Sequence, residues 1–314
     1  MDLVADIGAT NTRCALIDDK GQEQAPETFV NEDFTGVAGV LGVYLDHRRA
    51  TDRPKRAALA VAAPILGDEV QMINIDWRFS QTELRKELTL QHLQVHNDFA
   101  AIAWALPQLR PTDVVQIGPG EATLRATRAA LGPGSGLGAS ALVPSMDGWA
   151  LMSGEGGHVS MPAVTPEEQD VVARLRERFG HCSAERVLSG PGLVNLYVTL
   201  AELAGRGQPT VTAEDVTHLA RQREPLAQKT LNMFFAMLGT IASNLAVTTG
   251  AHGGLYIAGG IVPRLIEPFR KSEFRERFEA KGRYRGYLES IPTYVITAPF
   301  PAFHGLRYLL GYRR

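Results

Sequence analysis

The sequence predicts an α/β protein of two domains, and three observations support this prediction. The chain has 314 residues, a length that suggests two domains. An apolar-edged run from Leu93 to Val95 ends in Asn97-Asp98, and a helical pattern follows as far as Pro107. This stretch therefore predicts a strand, a turn and a helix. A plan of strand, small-residue loop and strand occurs twice, so we expect one such hairpin in each half of the chain.

The composition argues against several classes of function. Hydrophobic residues make up 45% of the chain and the formal net charge is -2, which gives no electrostatic case for nucleic acid or an acidic membrane. Cys14 and Cys182 form no C-x-x-C pair, so neither structural zinc nor a disulfide framework is indicated. The first residues show no signal-peptide core, and the apolar stretch 233–247 is short for a membrane span. We expect a cytoplasmic protein.

The first hairpin, residues 3–17, predicts a phosphate-binding turn. Two apolar runs flank the loop DIGATNTR, residues 6–13, which is rich in small and hydroxyl-bearing side chains. Backbone N–H groups of such a turn, with Thr10 and Asn11 beside them, suit phosphate oxygens. Asp6 is suited to a hydrated Mg²⁺ ion, because that ion prefers carboxylate and water ligands. An ordinary hairpin turn is the alternative, and the loop lacks the G-K-[ST] of a Walker A motif.

Asp98 follows directly on the strand predicted to end at Asn97. Open α/β sheets bind ligands at the carboxyl ends of their strands, which makes Asp98 a candidate catalytic base. Asp is also a favoured N-cap, and on position alone capping is the commoner role. Both interpretations stay open on the residues alone.

Other elements follow from local signals. Ser80 to Glu83 and Thr165 to Glu168 have the capping-box pattern that begins a helix, and Thr212 caps another. Residues 225–249 are apolar on most faces and predict the central helix of the larger half. Further predicted segments are strands at 56–61 and 292–298 and a closing helix at 303–310 that returns to the first half.

The second hairpin has a glycine-rich loop, residues 132–138, between predicted strands at 126–131 and 139–143. Glycine lets a backbone approach phosphates closely. Residues 253–263 predict a strand that runs into a glycine turn and a helix, and such a turn accepts a flat base or a ribose against bare backbone. Each glycine loop alone is weak evidence, whereas two similar hairpins in two halves indicate a polyphosphate held from both sides.

Two polar side chains are candidates for binding a sugar. Glu155 and His158 lie among glycines after a predicted strand, and a carboxylate with an imidazole suits sugar hydroxyls. A structural role for His158 is the alternative, and no third ligand at metal-binding spacing accompanies the pair. Glu185 is the informative residue of the segment 181–192, although an exposed charge on a helix is the fate of most glutamates.

Taken together, these segments resemble the bacterial glucokinases, in the same order and over nearly the whole chain. The matching segments are DIGATNTR (6–13), GSGLG (134–138), SGEGGH (153–158), SAERVLSGPGLVN (183–195) and AGGIVP (258–263). The resemblance implies an α/β, two-lobed actin-like ATPase (ribonuclease H-like) fold with a cleft between lobes. The small lobe is expected at 1–108 plus 299–314, and the large lobe at 109–298.

The resemblance also implies ATP-dependent phosphorylation of glucose at its 6-hydroxyl, with Mg²⁺ as cofactor, in a homodimer. By this resemblance, Asp98 is the general base. The residues implied for the sugar are Asn97, Glu155, His158 and Glu185; for ATP they are Asp6, Gly8, Ala9, Thr10, Asn11, Gly134, Ser135, Gly136, Gly259 and Gly260, with Asp6 holding the metal through water.

The sequence departs from the family pattern at four points. Ala9 stands where a second glycine is usual, Pro133 where a small residue is usual, and residues 299–311 match poorly. The zinc-binding cysteines of the related repressor, open-reading-frame and kinase family are absent, which indicates the zinc-free branch. Two alternatives remain: a kinase for another hexose such as fructose, mannose or N-acetylmannosamine, and a sugar-binding regulator without catalysis. Regulators carry an N-terminal helix-turn-helix that we do not find here, so we expect an enzyme.

Overall fold

The computed structural model describes residues 1–48 and 53–312. The chain divides into two compact units. Unit 1 comprises Met1–Asp113 and Ala298–Arg314, and unit 2 comprises Val114–Thr297. Each unit has its own sheet and its own buried apolar core, and the mixed α/β class predicted from the sequence is confirmed.

Short, mostly apolar runs form the strands. They are β1 Asp2–Ile7, β2 Asn11–Ile17, β3 Glu23–Val30, β4 Arg56–Val61, β5 Glu69–Gln71, β6 Arg78–Ser80, β7 His92–Asn97, β8 Val114–Ile117, β9 Arg128–Pro133, β10 Leu137–Ser145, β11 Gly148–Gly154, β12 Leu255–Ile257 and β13 Thr293–Ile296. The strand order is β3-β2-β1-β4-β7 in unit 1 and β11-β10-β9-β12-β13-β8 in unit 2, with a separate β5-β6 pair.

The helices cover these sheets. They are α1 Val37–Asp46, α2 Gln81–Glu87, α3 Asp98–Ala105, α4 Pro166–Phe179, α5 Gly190–Leu203, α6 Ala213–Arg221, α7 Pro225–Thr249, α8 Ile266–Arg270, α9 Phe274–Glu279, α10 Arg285–Glu289 and α11 Pro301–Leu309. Helix α7 is long and apolar enough to cross a membrane by composition, but 78% of its apolar window is buried within the protein. It is a core helix, as predicted.

The predicted helix starts are largely confirmed. At α4, the Thr165 side chain accepts the Glu168 N–H while the Glu168 carboxylate accepts the Thr165 N–H, so the capping box is complete. At α2, Ser80 accepts the Glu83 N–H at 3.1 Å, and its own hydroxyl donates to Asp68. These caps are local interactions between residues three apart, which is why the sequence reveals them.

The closing helix α11 packs on α3 in unit 1, as predicted. Trp104 and Tyr308 stack with their ring centroids 5.4 Å apart. Gly305 allows the two backbones to touch, since a Cβ there would lie 1.9 Å from the Ala101 carbonyl oxygen.

The predicted glycine-rich loop is shorter than expected. Strand β9 extends to Pro133, and strand β10 begins at Leu137. Only three residues remain outside the strand pairing, because the glycines on either side of them pair within the sheet.

Candidate active site

The sheet of unit 1 brings two predicted segments to one edge. Strands β1, β4 and β7 run parallel, and their register aligns Ile7 with Val61 and Val61 with Asn97. The turn after Ile7 and the Asn97-Asp98 pair therefore lie at the carboxyl ends of the same sheet. Neighbouring strands are about 4.8 Å apart, so the two strand ends lie roughly 10 Å from each other. This edge is where ligands of such sheets bind.

The first hairpin turns tightly between Ile7 and Asn11. The Gly8 N–H donates to the Asn11 carbonyl oxygen at 3.0 Å, which closes the turn and commits that one N–H group. Thr10 is exposed, and Gly8, Ala9 and Asn11 are partly exposed, so the turn faces outward. The turn is therefore exposed, and its role in binding phosphate stays a prediction.

Asn31 holds this turn from behind, and sequence reasoning missed it. Its side chain is buried, donates to the Gly8 carbonyl oxygen at 2.8 Å and accepts the Thr12 hydroxyl at 2.8 Å. Its backbone N–H donates to the Thr10 carbonyl oxygen at 2.9 Å. The backbone carbonyl groups of Gly8 and Thr10 are thereby held on the inner side of the turn. Asn31 lies 23 residues from Gly8, and no local pattern connects them.

Asp6 lies beside the turn and forms an ion pair with Arg13. The Arg13 Nη1 atom is 3.4 Å from Asp6 Oδ2, and the Asp6 side chain is one-fifth exposed. Burial raises the pKa of the Asp6 carboxyl, and the Arg13 guanidinium opposes that rise. Arg13 also lies over the ring of Phe300, with its guanidinium carbon 5.8 Å from the ring centroid.

Asp6 is suited to a hydrated magnesium ion. Residues 1–48 and 53–312 contain no group of three His, Cys, Asp or Glu side chains that would enclose a metal. Mg²⁺ commonly keeps several waters and binds one or two carboxylates together with substrate phosphates. A single carboxylate beside an anion-accessible turn suits that mode of binding.

The structure shows which residue caps the start of α3, a question that the sequence left open. Asn97 is the N-cap, with an extended backbone, and its Oδ1 accepts the N–H groups of Phe99 at 2.9 Å and Ala100 at 3.2 Å. Asp98 is the first helical residue, and its Oδ1 also accepts the Phe99 N–H, at 2.8 Å. Asn97 Nδ2 donates to the Ala63 carbonyl oxygen at 3.3 Å. The capping role therefore belongs to Asn97, while half-buried Asp98 sits where the helix dipole favours a negative charge.

The sheet of unit 2 repeats this plan. Strands β9 and β12 run parallel, with Ile257 opposite Leu131, so the turn Gly134–Gly136 and the turn at Gly259 lie at one edge. A Cβ on Gly259, whose φ is +80°, would lie 2.3 Å from the Pro133 carbonyl oxygen. Glycine is therefore needed there for a close approach of two backbones. Both Gly259 and Gly260 are exposed.

The sugar-site segments lie against the second hairpin. The residues after His158 pair with those before Glu185, because the Ala184 N–H donates to the Val159 carbonyl oxygen at 2.8 Å. Glu155 and His158 are exposed, and Glu185 is partly buried. Glu185 Oε2 accepts the Leu137 N–H at 2.8 Å. The structure thus brings Glu155, His158 and Glu185 to the same part of unit 2 as the glycine turn.

These features define a class of protein. A glycine turn at the carboxyl edge of each sheet suits nucleotide phosphates, and carboxylates with a histidine beside one turn suit a polyhydroxylated substrate. Such a combination is typical of a small-molecule kinase.

Comparison with known proteins specifies the family. A family model described as Glucokinase matches residues 3–311. The glucokinase of Paramagnetospirillum magneticum is 46% identical over 99% of this chain and 97% of that protein. The crystal structure of a glucokinase from an Antarctic psychrotroph superimposes with a TM-score of 0.87 at 37% identity, covering 99% of both chains. The chain belongs to the glucokinase family.

A more distant structure supports the fold alone. A glucokinase of the repressor, open-reading-frame and kinase family from Streptomyces griseus, crystallised with glucose and AMPPNP, has a TM-score of 0.67 at 16% identity. It covers 98% of each chain. The two-unit α/β architecture is therefore shared well beyond the close relatives.

Proposed function

We propose that Asp98 is the general base in the ATP-dependent phosphorylation of glucose, the activity that membership of the glucokinase family gives this chain. The observation that carries this proposal is the cap of α3, where Asn97 Oδ1 accepts both cap N–H groups. Asp98 follows as the first residue of α3, where its Oδ1 also accepts the Phe99 N–H at 2.8 Å, so its place at the end of β7 supports the catalytic role. A carboxylate there suits acceptance of the proton from the attacking 6-hydroxyl.

The substrate contacts extend the proposal to both units. Asn97, Glu155, His158 and Glu185 bind the sugar hydroxyls. The turn of Gly8, Ala9, Thr10 and Asn11 and the turn of Gly134, Ser135 and Gly136 bind the phosphates of ATP, and Gly259 with Gly260 lies along the nucleoside. Exposure of both turns and their place at strand ends support these assignments.

Phosphoryl transfer needs mainly positioning and charge stabilisation. In this proposal Asp98 takes the hydroxyl proton, while the backbone N–H groups of the two turns stabilise charge on the phosphates. Asp6 would hold Mg²⁺ through water, and the ion would supply positive charge to stabilise the phosphates of ATP. The Asp6–Arg13 pair keeps the carboxylate side chain oriented before the nucleotide arrives.

The wider setting is also part of the proposal. The family resemblance supports an actin-like ATPase arrangement of two lobes around a cleft, a homodimer and a cytoplasmic location. Glucose rather than another hexose is supported by the relatives named glucokinase.

The test is ADP release with Mg-ATP, measured with glucose, with fructose, mannose or N-acetylmannosamine, and without sugar. We expect strong release with glucose and little without sugar. Release with another hexose in preference to glucose would reassign the substrate. No release with any sugar, while calorimetry shows glucose binding, would favour a sugar-binding regulator instead.

A further inference from the structure

The backbone N–H and the backbone carbonyl of Leu137 both face segments that carry proposed sugar-binding residues. The Leu137 N–H donates to Glu185 Oε2 at 2.8 Å. The Leu137 carbonyl oxygen lies so close to Gly157 that a Cβ on that glycine would be 1.9 Å away. Leu137 directly follows the glycine turn, so the end of the turn is held between the Glu155–His158 segment and Glu185.

Gly136 leaves space for the Glu185 carboxylate, which a side chain at this position would displace. A Cβ at Gly136 would lie 2.5 Å from Glu185 Oε2 and 3.4 Å from its carboxyl carbon. At Gly134 the nearest atom to a Cβ is the Gly260 nitrogen, at 4.0 Å. The two glycines of one turn therefore have different reasons to be glycine, and only Gly136 makes room for a sugar-site side chain.

The other end of the turn is tied to the same sugar segment. The Gly190 N–H donates to the Gly134 carbonyl oxygen at 2.8 Å. Ser189, which caps α5 through the Gly192 N–H at 2.9 Å, donates its hydroxyl to the Glu185 carbonyl oxygen at 2.8 Å. The turn and the segment from Glu185 to Gly190 are thus joined by hydrogen bonds at both ends.

We propose that Glu185 is a positioning residue for the nucleotide as well as a ligand of the sugar. One carboxylate oxygen, Oε2, holds the phosphate turn through the Leu137 N–H, and in this proposal the other oxygen binds a sugar hydroxyl. A bound sugar fixes the carboxylate and with it the turn, so the nucleotide then meets an ordered site. The coupling is reciprocal, because each ligand must change the affinity of the other by the same factor. This inference rests on the proposed function.

The first experiment measures the affinity of a non-hydrolysable ATP analogue with and without glucose by calorimetry. For the wild type we expect glucose to tighten analogue binding at least about fivefold, the lower end of common coupling. In Glu185→Ala both carboxylate oxygens are lost, so one side chain no longer joins the Leu137 N–H to the sugar, and we expect the coupling factor to fall towards one. An unchanged coupling factor in this variant would overturn the proposal.

The second experiment measures glucose affinity with no nucleotide present. Gly136→Ala displaces Glu185 Oε2 while every residue proposed to contact the sugar keeps its identity, and we expect glucose to bind at least about fivefold more weakly. Gly286→Ala, on α10, is the control, because no atom lies within 4 Å of its Cβ, and its glucose affinity should stay within about twofold of the wild type. Equal glucose affinity in Gly136→Ala and the wild type, with equal thermal midpoints, would overturn the proposal.

The outcomes separate this inference from the proposed function. If the wild type releases ADP with glucose but shows no coupling, only the inference fails. If it releases no ADP with any sugar, the proposed function fails, while both binding experiments can still be carried out.

Discussion

The two glycine hairpins have similar plans but are held in place by different parts of the chain. The turn of unit 1 is held by buried Asn31, which bonds to Gly8, Thr10 and Thr12 of the same hairpin. The turn of unit 2 is held by Glu185 and by the glycines around it. In the proposed function, the turn of unit 1 is therefore a fixed phosphate platform, and the turn of unit 2 is a phosphate platform linked to the sugar-binding residues.

The largest expected effect tests the close contact in unit 2. Gly157→Ala would force a Cβ to within 1.9 Å of the Leu137 carbonyl oxygen, so backbone must shift. We expect a loss of about 3 kcal/mol in the free energy of unfolding, measured by urea denaturation, which is the upper end for overpacking because the clash is with backbone and not with a flexible side chain. Gly154→Ala is the control, because no atom lies within 4 Å of its Cβ. Equal free energies of unfolding for the two variants would contradict this close contact.

The next effect tests the platform of unit 1. Asn31→Ala leaves the Gly8 carbonyl and the buried Thr12 hydroxyl without their partner, at a cost of about 2–3 kcal/mol in unfolding free energy. The affinity for the ATP analogue should fall, while glucose affinity without nucleotide should not change. Asn232→Ala, on an exposed position of α7, should stay within about 0.5 kcal/mol of the wild type. Weaker glucose binding in Asn31→Ala would contradict the proposed difference between the two hairpins.

The smallest effect concerns His96, on the strand that leads to Asp98. Burial lowers the pKa of His96 in the folded state. As the pH falls below about 6.5, the unfolded chain takes up a proton that the folded chain resists, so His96 makes the protein less stable in acid. His96→Gln should therefore show a shallower loss of unfolding free energy between about pH 7.5 and 5.5. Equal slopes in His96→Gln and the wild type would refute the role of His96.

Sequence patterns predicted what depends on near neighbours. The Thr165 capping box, the paired strands of both hairpins and the core helix α7 all follow from spacings of a few residues. The capping role of Asn97 was harder to predict, because Asn and Asp are both favoured caps. Only the extended backbone of Asn97 decides between the two residues.

Contacts between distant residues were not predictable in this way. Asn31 bonds to Gly8 across 23 residues, and Leu137 bonds to Glu185 across 48. The sequence indicates that residues 132–138 are rich in glycine, but not that Gly136 makes room for a carboxylate. Only the folded sheet brings these groups together. The role assigned to Asp98 stays a prediction.

The most direct test of the central claim is the turnover of Asp98→Asn. This variant keeps the side-chain size and an oxygen to accept the Phe99 N–H, but it cannot take a proton from the sugar. We predict a turnover lower by roughly 10²–10⁴-fold, with glucose affinity little changed. Asp76→Asn, at an exposed carboxylate of the same unit, should behave as the wild type. Near-normal turnover in Asp98→Asn would contradict a general base at this position.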